Sequence, residues 1–306
     1  MSADRVFCVY GSPLSELADV ASGAVQVSPL VPGSQALEDM APGSLSGAVV
    51  AAPPGTMERR YGLALALRAL TPGAPLTALA PNEKGGSRLS KELESFGCTV
   101  SASSKRHHRV CRTVRPAMLD DAALAVAIDT GGPRFVEALG QWSQPGVFSW
   151  DALDPGTLLL VATLPPLAGR GADLGCGVGL LAAAALANPD VTHLDLVDMD
   201  RRAVACARRN IRDKRAAFHW ADARINPQLE GLDFVVMNPP FHDGGAEDRS
   251  LGQAFLRRAH QILRQGGTTW LVANRHLPYE GVMKTSFATV TLRAEAHGFK
   301  VYEARK

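Results

Sequence analysis

The sequence holds only five cysteines in 306 residues, at positions 8, 98, 111, 176 and 206, and no Cys-x-x-Cys pair. An odd number at wide spacing argues against a disulfide framework and a zinc ribbon, so no metal is expected and a reducing, cytoplasmic compartment fits. Aromatic residues are scarce, at 6%, and neither sign of charge dominates, with 32 Lys+Arg against 30 Asp+Glu. Composition alone therefore does not announce a nucleic-acid binder. Also missing is any apolar run near the ~20 residues that a membrane span needs. Residues 179–187 are short and Ala-rich and read as buried helix. The start, Met1-Ser2-Ala3-Asp4-Arg5, has neither the basic segment nor the long apolar stretch of a secretory signal. What is present is an ordinary globular mixture, 46% apolar and 20% charged. The length suits two domains of about 100–200 residues each.

The rhythm of apolar runs places a boundary between residues 134 and 135. In residues 1–134, short apolar runs at 5–10, 47–52, 75–80 and 98–102 read as strands, and 58–70 and 86–96 as helices between them. Pro53-Pro54-Gly55 and Pro72-Gly73 break the pattern as turns. Strand–helix alternation implies a parallel sheet with covering helices. No glycine-rich loop leaves the first strand. Tyr10-Gly11-Ser12-Pro13 is the nearest approach, and one glycine followed by proline makes a poor anion cradle. This half reads as a nucleotide-binding fold without its site. Residues 135–140 read as a short helix and the rest of 133–155 as a linker, whose Pro145-Gly146-Val147-Phe148-Ser149 is apolar enough to pack on something.

Residues 135–306 carry a clearer alternation. Helices are expected at 155–164, 179–187, 201–212 and 251–264, and strands at 171–174, 191–197, a short stretch ending at Trp220, 232–237 and 268–273. Residues 288–292 and 299–304 close the chain as an antiparallel pair around His297-Gly298. The fold class is therefore α/β, with two tandem Rossmann-like domains. The second has a mostly parallel sheet with one reversed edge strand.

Chemistry concentrates at two places in the second half. Asp173-Leu174-Gly175-Cys176-Gly177-Val178-Gly179 runs from a strand through three glycines into a helix. Glycine lets the backbone turn sharply and approach a ligand closely. The spacing is G-x-G-x-G, not the G-x-G-x-x-G of a dinucleotide fingerprint, and an acidic residue precedes it. That suits the methionine end of S-adenosylmethionine, whose ammonium group can use the Asp173 carboxylate. Asp198, at the tip of the next strand, is placed to accept ribose hydroxyls. Asp200 competes for that role but reads equally as a helix N-cap. Asp195 is given no role. Asp222, after the third strand, can accept from the adenine amino group, or is simply a loop carboxylate. Cys176 reads as a small filler.

The second place is Asn238-Pro239-Pro240-Phe241, at the end of the fourth strand. Two prolines fix the backbone and remove N–H donors. What remains is a rim of acceptors, the Asn238 side-chain oxygen and the Pro239 carbonyl, suited to holding a planar amino group. Such a nitrogen is a poor nucleophile because its lone pair is delocalised. Two acceptors can pull it towards tetrahedral geometry, and Phe241 can stack on its ring. The plain alternative is a proline-rich turn with a core phenylalanine.

DLGCGVG followed by NPPFHDG resembles the bacterial ribosomal RNA guanine-N2 methyltransferases, of the small-subunit (RsmC-like) and large-subunit (RlmG-like) types. The resemblance extends through Gly146-Val147-Phe148-Ser149 and Leu153-Asp154-Pro155-Gly156-Thr157, and downstream to Leu277-Pro278-Tyr279 and Phe299-Lys300-Val301-Tyr302. It implies a class I S-adenosylmethionine-dependent methyltransferase over 135–306, with Phe148 and Thr157 closing over the cofactor and Phe241 and His242 facing the substrate. It also implies that 1–134 is a degenerate copy of the same fold. Ribosomal RNA, most specifically the small-subunit 16S rRNA, is then the expected partner.

The N-terminal half adds Lys84, Arg88, Lys91, Lys105, Arg106, Arg109, Arg112 and Arg115, a basic cluster in an otherwise balanced chain. Clustered Lys/Arg is the footprint of phosphate binding. Lys105, Arg106 and Arg109 are the candidate RNA contacts, and a solvated surface is the alternative. The polar loop 242–250 is expected to be mobile and to touch substrate. His276 and Tyr279 suit core or surface positions better than substrate contact. Competing functions are adenine-N6 or protein-glutamine methylation with the same motif, a nicotinamide-dependent oxidoreductase, and a non-catalytic RNA-binding assembly factor.

Overall fold

The computed structural model describes residues 6–225, 229–240, 242–243, 246–247, 249–277 and 279–306. They form two compact units, one of residues 1–133 with 144–146, the other of 134–143 with 147–306.

The first unit holds β1 (Val6–Tyr10), β2 (Val25–Gln26), β3 (Leu45–Ala51), α1 (Thr56–Ala69), β4 (Pro75–Pro81), α2 (Leu89–Glu94), β5 (Ser101–Lys105), β6 (His108–Val114) and α3 (Asp121–Gly131). Its six strands lie in the order β2-β1-β3-β4-β6-β5. β1 to β4 are parallel, but β6 runs antiparallel to both β4 and β5. The expected all-parallel sheet is therefore mixed, because Arg106 and His107 turn β5 straight back as a hairpin with positive φ at both positions. The strand expected at 98–102 begins only at Ser101. Cys98 is instead buried, and all of β5 is exposed. α1 carries the core of this unit: Leu63, Ala64, Leu65, Ala66 and Leu67 have almost no exposed surface. Each such leucine contributes roughly 1.5–3 kcal/mol relative to an exposed one.

The second unit holds β7 (Arg134–Val136), β8 (Gln141–Ser143), α4 (Pro155–Thr163), β9 (Gly169–Leu174), α5 (Leu180–Leu186), β10 (Val191–Asp198), α6 (Arg201–Asn210), β11 (Ala216–Trp220), β12 (Leu232–Met237), β13 (His242–Asp243), β14 (Ala246–Glu247), α7 (Arg249–Ile262), β15 (Leu263–Asn274), α8 (Tyr279–Ser286), β16 (Thr289–Ala296) and β17 (Phe299–Arg305). The main sheet has the order β11-β10-β9-β12-β15-β17-β16, parallel except for β17, which runs against β15 and β16. This is the expected mostly parallel sheet with its closing antiparallel pair. Two expectations fail locally. Residues 135–140 are not a helix: β7 and β8 pair as a hairpin, with Phe135 edge-on to Trp142. The polar segment from 242 is not wholly loop, since β13 and β14 pair antiparallel and α7 already begins at Arg249.

The two sheets share one plan. Removing β11 from the second leaves an order that the first reproduces strand for strand. In the second sheet Val236 stands opposite Asp173, and in the first Val50 stands opposite Tyr10. Aligning the two Pro-Pro pairs sets Val49-Val50-Ala51-Ala52-Pro53-Pro54-Gly55 against Val235-Val236-Met237-Asn238-Pro239-Pro240-Phe241, and the two registers then set Tyr10 against Asp173. The first unit is a degenerate copy. It keeps the two prolines and has tyrosine where the second has Asp173, alanine where it has Asn238, and glycine where it has Phe241.

Candidate active site

The site is built where β9 and β12, adjacent and parallel at the centre of the second sheet, both end. β9 delivers Asp173 with no exposed surface, and neither carboxyl oxygen has a hydrogen-bond partner among the described residues. Burial, reinforced by the nearby negative charge of Asp198, raises its pKa from 3.8 to about 8. The chain then turns through Gly175, Gly177 and Gly179, at φ of +78°, +53° and +97°. Side chains rarely adopt this left-handed region, and that is why glycine recurs here. Gly175 and Cys176 donate their N–H groups to the Val197 carbonyl at 2.8 and 3.1 Å, tying the loop to the end of β10. Cys176 is buried, and burial pushes its thiol well above the usual range. It is a filler, not a nucleophile.

Asp198 secures the same loop. One carboxyl oxygen accepts the Gly177 N–H at 2.8 Å and the other the Asp200 N–H at 2.8 Å. Burial lifts its pKa to about 6 in spite of these bonds. Asp200 is the N-cap of α6, accepting from the Arg202 N–H at 2.9 Å and pairing with the Arg202 guanidinium. Asp200 is thus engaged within its own helix start. Asp195 is buried and clips β10 to β11, taking His219 Nε2 at 2.7 Å, with His193 Nε2 at 3.3 Å. The Asp222 carboxylate is engaged by Arg224 at 2.6–3.0 Å, which holds it below the ordinary carboxylate range.

β12 delivers Asn238. Its Nδ2 donates to Thr157 Oγ1 at 2.8 Å and to Asp154 Oδ2 at 3.0 Å. Asp154 caps α4, accepting the Thr157 N–H at 2.7 Å, with Pro155 pre-set in the first turn. Pro239 is buried and Pro240 half-buried. Phe241 lies outside the described residues, and of His242 only the backbone, in β13, is described.

One cavity brings the two strand ends together. Gly175, Gly177, Phe148, Thr157 and Asn238 all line it, with Asp154 and Gln141 beside them. Phe148 is 59% exposed, and the buried Oε1 of Gln141 has no partner among the described residues. Asp173, Asp198 and Asp222 are not among the lining residues. Sequence reasoning missed Asp154 and Gln141 as site residues. An Asp-Pro pair opening a helix is a readable capping signal. Nothing marks Gln141, whose segment was expected to be linker. Tyr279 is fully buried in the core and His276 is exposed. Lys105, Arg106 and Arg109 lie in the first unit, on the β5–β6 hairpin. Among the described residues no acidic, histidine and cysteine side chains gather to hold a metal, and no helix is long and apolar enough to cross a membrane.

A seven-stranded sheet in this order, with a glycine turn after its first parallel strand and Asn-Pro-Pro after the adjacent one, defines a methyltransferase. The methyltransferase small domain family matches residues 139–303. Ribosomal RNA small subunit methyltransferase C of Shewanella loihica is 33% identical over 256 residues, covering 80% of this chain and 73% of that protein. The protein of the same name from Pseudomonas paraeruginosa is 33% identical over 290 residues, covering 92% and 86%. This chain belongs to the ribosomal RNA small subunit methyltransferase C family. The structure of the T. thermophilus 16S rRNA N2 G1207 methyltransferase, in complex with AdoMet and guanosine, superimposes with a TM-score of 0.78. At 22% identity it covers 100% of this chain and 89% of that one, so both units share its fold.

Proposed function

We propose that this methyltransferase transfers a methyl group from S-adenosylmethionine to the exocyclic N2 amino group of a guanine in small-subunit ribosomal RNA. One observation carries the reading: Asn238 and the glycine turn line a single cavity, and a fully buried carboxylate that lacks a close hydrogen-bond partner among the described residues, Asp173, lies just before that turn. A buried polar group lacking a partner is costly, and a ligand ammonium relieves it.

The residues fit the cofactor. Asp173 receives the ammonium group, and Gly175 and Gly177 allow close backbone approach. Asp198, with one bond to each oxygen already formed within the loop, has lone pairs left for ribose hydroxyls. Phe148 covers the cavity from the segment before α4. An adenine amino group reaching Asp222 has to compete with Arg224 for its oxygens. When bound, S-adenosylmethionine supplies an electrophilic methyl group on sulfur.

This chain's own contribution is positioning. Asn238 Oδ1 and the Pro239 carbonyl accept the two N–H bonds of the guanine amino group. Neither proline can donate, so the rim presents acceptors only. Held in this way, the nitrogen recovers its lone pair from the ring and points it into the cavity. No side-chain base is needed before attack: the sulfur departs with the bonding pair as a neutral thioether, and the methylated nitrogen then loses its extra proton to water. Alignment of this kind contributes up to roughly 7–11 kcal/mol of barrier lowering. Phe241 and His242, the residues that the sequence suggests for contact with a flipped-out base, lie outside the described side chains and keep that role as an expectation. The acceptor is supported by the relatives named for small-subunit rRNA and by the T. thermophilus protein described with guanosine. The corresponding place of work is the cytoplasm, on ribosomal RNA or a ribosomal subunit.

The test is to map modified nucleosides in 16S rRNA from cells lacking the gene. One N2-methylguanosine should disappear, return with the wild-type gene, and stay absent with Asn238→Ala. Full restoration by that variant, or methyl transfer by the purified enzyme to adenine N6 or a protein glutamine instead, overturns the reading.

A further inference from the structure

We infer that Asp154 and Thr157 are positioning residues that set which end of the Asn238 carboxamide faces the substrate. The inference rests on the reading of Asn238 as an acceptor of substrate N–H bonds. A carboxamide has one acceptor end and one donor end, of nearly equal size, and a half-turn of the side chain exchanges them. The exchange converts a site that receives an amino group into one that repels it, donor against donor. Something must therefore choose, and the choice is legible in the hydrogen-bond directions.

An ionised carboxylate can only accept. Asp154 Oδ2 receives the Thr157 N–H at 2.7 Å and the Thr157 Oγ1–H at 3.0 Å. Thr157 has one hydroxyl hydrogen, and it is used there. Towards Asn238 the hydroxyl consequently offers a lone pair. The inner end of the Asn238 carboxamide thus meets two acceptors, Thr157 Oγ1 at 2.8 Å and Asp154 Oδ2 at 3.0 Å. Nitrogen with two hydrogens satisfies both. Oxygen there would face an oxygen on each side. Oδ1 is left at the outer end as the group that meets the substrate.

The anchor is firm. Asp154 caps α4, Pro155 begins it, and Leu160, one turn on from Gly156, has no exposed surface. One carboxylate therefore starts a helix and orients a catalytic residue from a distant strand. The Thr157 hydroxyl, which the family resemblance suggests for the cofactor, is instead engaged with Asp154 and Asn238.

Two substitutions separate orientation from folding. Asp154→Ser keeps a good N-cap, since serine ranks with aspartate there, but is too short to reach Asn238. Thr157→Val keeps the shape of the side chain and removes its oxygen. Each should lower kcat on small-subunit rRNA by about tenfold or more, and the pair by about a hundredfold, because one and then both hydrogen bonds that hold a transition-state group are removed. The Kd for S-adenosylmethionine should stay within about threefold of wild type, and Thr157→Ser should restore most of the rate. Added to Asn238→Ala, neither should lower the rate further, because the residues act as one unit. Independently of turnover, the Asn238 side-chain amide protons should exchange slowly with solvent in the wild type and quickly in the double variant. An unchanged kcat in the double variant, a donor Kd that rises in step with the loss of rate, or equal amide exchange in both proteins overturns the inference. A wild-type enzyme inactive on rRNA guanine defeats the functional reading instead, and the amide exchange then still tests the orientation.

Discussion

Val236 stands opposite Asp173 across the parallel ladder of β9 and β12. Two residues further along each strand the chain leaves the sheet, at Asn238 and at Gly175. Asn238 and the glycine turn are neighbours because the two strands are neighbours, not because the residues are close in sequence. The first sheet repeats the geometry without the chemistry. Val50 stands opposite Tyr10, and Ala52 follows where Asn238 would be.

The state of Asp173 makes cofactor affinity depend on pH. Its carboxyl is raised to about 8 in the unliganded protein, so below that pH it carries a proton. Pairing with an ammonium group needs the carboxylate, and binding must expel the proton. Affinity should rise with pH up to about 8, by at most about tenfold per pH unit. The folded pKa lies above the unfolded one, so the sign for stability is opposite. The unliganded protein should be most stable below pH 3.8 as far as this group is concerned, and lose stability as pH rises towards about 8. Calorimetric binding of S-adenosylmethionine at several pH values checks the first point. Asp173→Asn should bind more weakly and lose the slope. If the slope survives that substitution, the proton belongs elsewhere.

Much of this was legible in the sequence. Glycine spacing after an apolar run located the tight turn that lines the cavity, because glycine adopts the φ values found at 175, 177 and 179 far more readily than other residues. The NPP motif pointed to the second strand end at the cavity, where Asn238 is among the lining residues. Tertiary partnership was not legible. Nothing in residues 135–140 says that they form a hairpin, since pairing with β8 outweighs their weak helical pattern. Likewise Asp222 reads as a free loop carboxylate until Arg224, two positions on, is seen folded back onto it. Asp154 could be read as a helix cap, but not as a partner of Asn238, because that hydrogen bond spans much of the domain's sequence.

In the first unit the prolines aligned with Pro239 and Pro240 already have an occupant. Arg59, 1% exposed, donates Nη1 to the carbonyls of Pro53 at 3.2 Å and Pro54 at 2.7 Å. Its Nε and Nη2 hold Glu92 at 2.7 Å each. A guanidinium thus sits on the carbonyl whose counterpart, at Pro239, is assigned to the guanine amino group. Arg59→Met strands a buried glutamate and should destabilise the protein by about 3–5 kcal/mol. Arg59→Met with Glu92→Met should recover much of that stability, since apolar replacement of a whole buried pair is often neutral. Urea unfolding of the three proteins is the measurement. A single variant within about 1 kcal/mol of wild type would show that the pair holds little.

The β5–β6 hairpin tests whether the first unit touches RNA. Its turn residues, Arg106 and His107, both adopt left-handed backbone, which is uncommon for residues other than glycine. Two of the three candidate cations are partly engaged within the unit. Lys105 donates to the Glu16 carbonyl at 2.9 Å, and Arg106 pairs with the Glu16 carboxylate. Among the described residues Arg109 makes only a long hydrogen bond, 3.5 Å, to Ser104 Oγ. Arg109 is therefore the readiest of the three to meet a phosphate. Arg109→Glu alone should weaken rRNA binding more than Arg106→Glu alone, and reversal of Lys105, Arg106 and Arg109 together should weaken it most. For every phosphate that is no longer neutralised, the plot of log affinity against log salt should flatten by about 0.7–0.9. Binding of S-adenosylmethionine should not change, because all three residues belong to the first unit and the candidate cavity is lined by the second. Titration of small-subunit rRNA at several salt concentrations reads both quantities. An unaltered affinity and slope in the triple variant would make this hairpin a solvated edge and send the search for RNA-binding residues to the second unit.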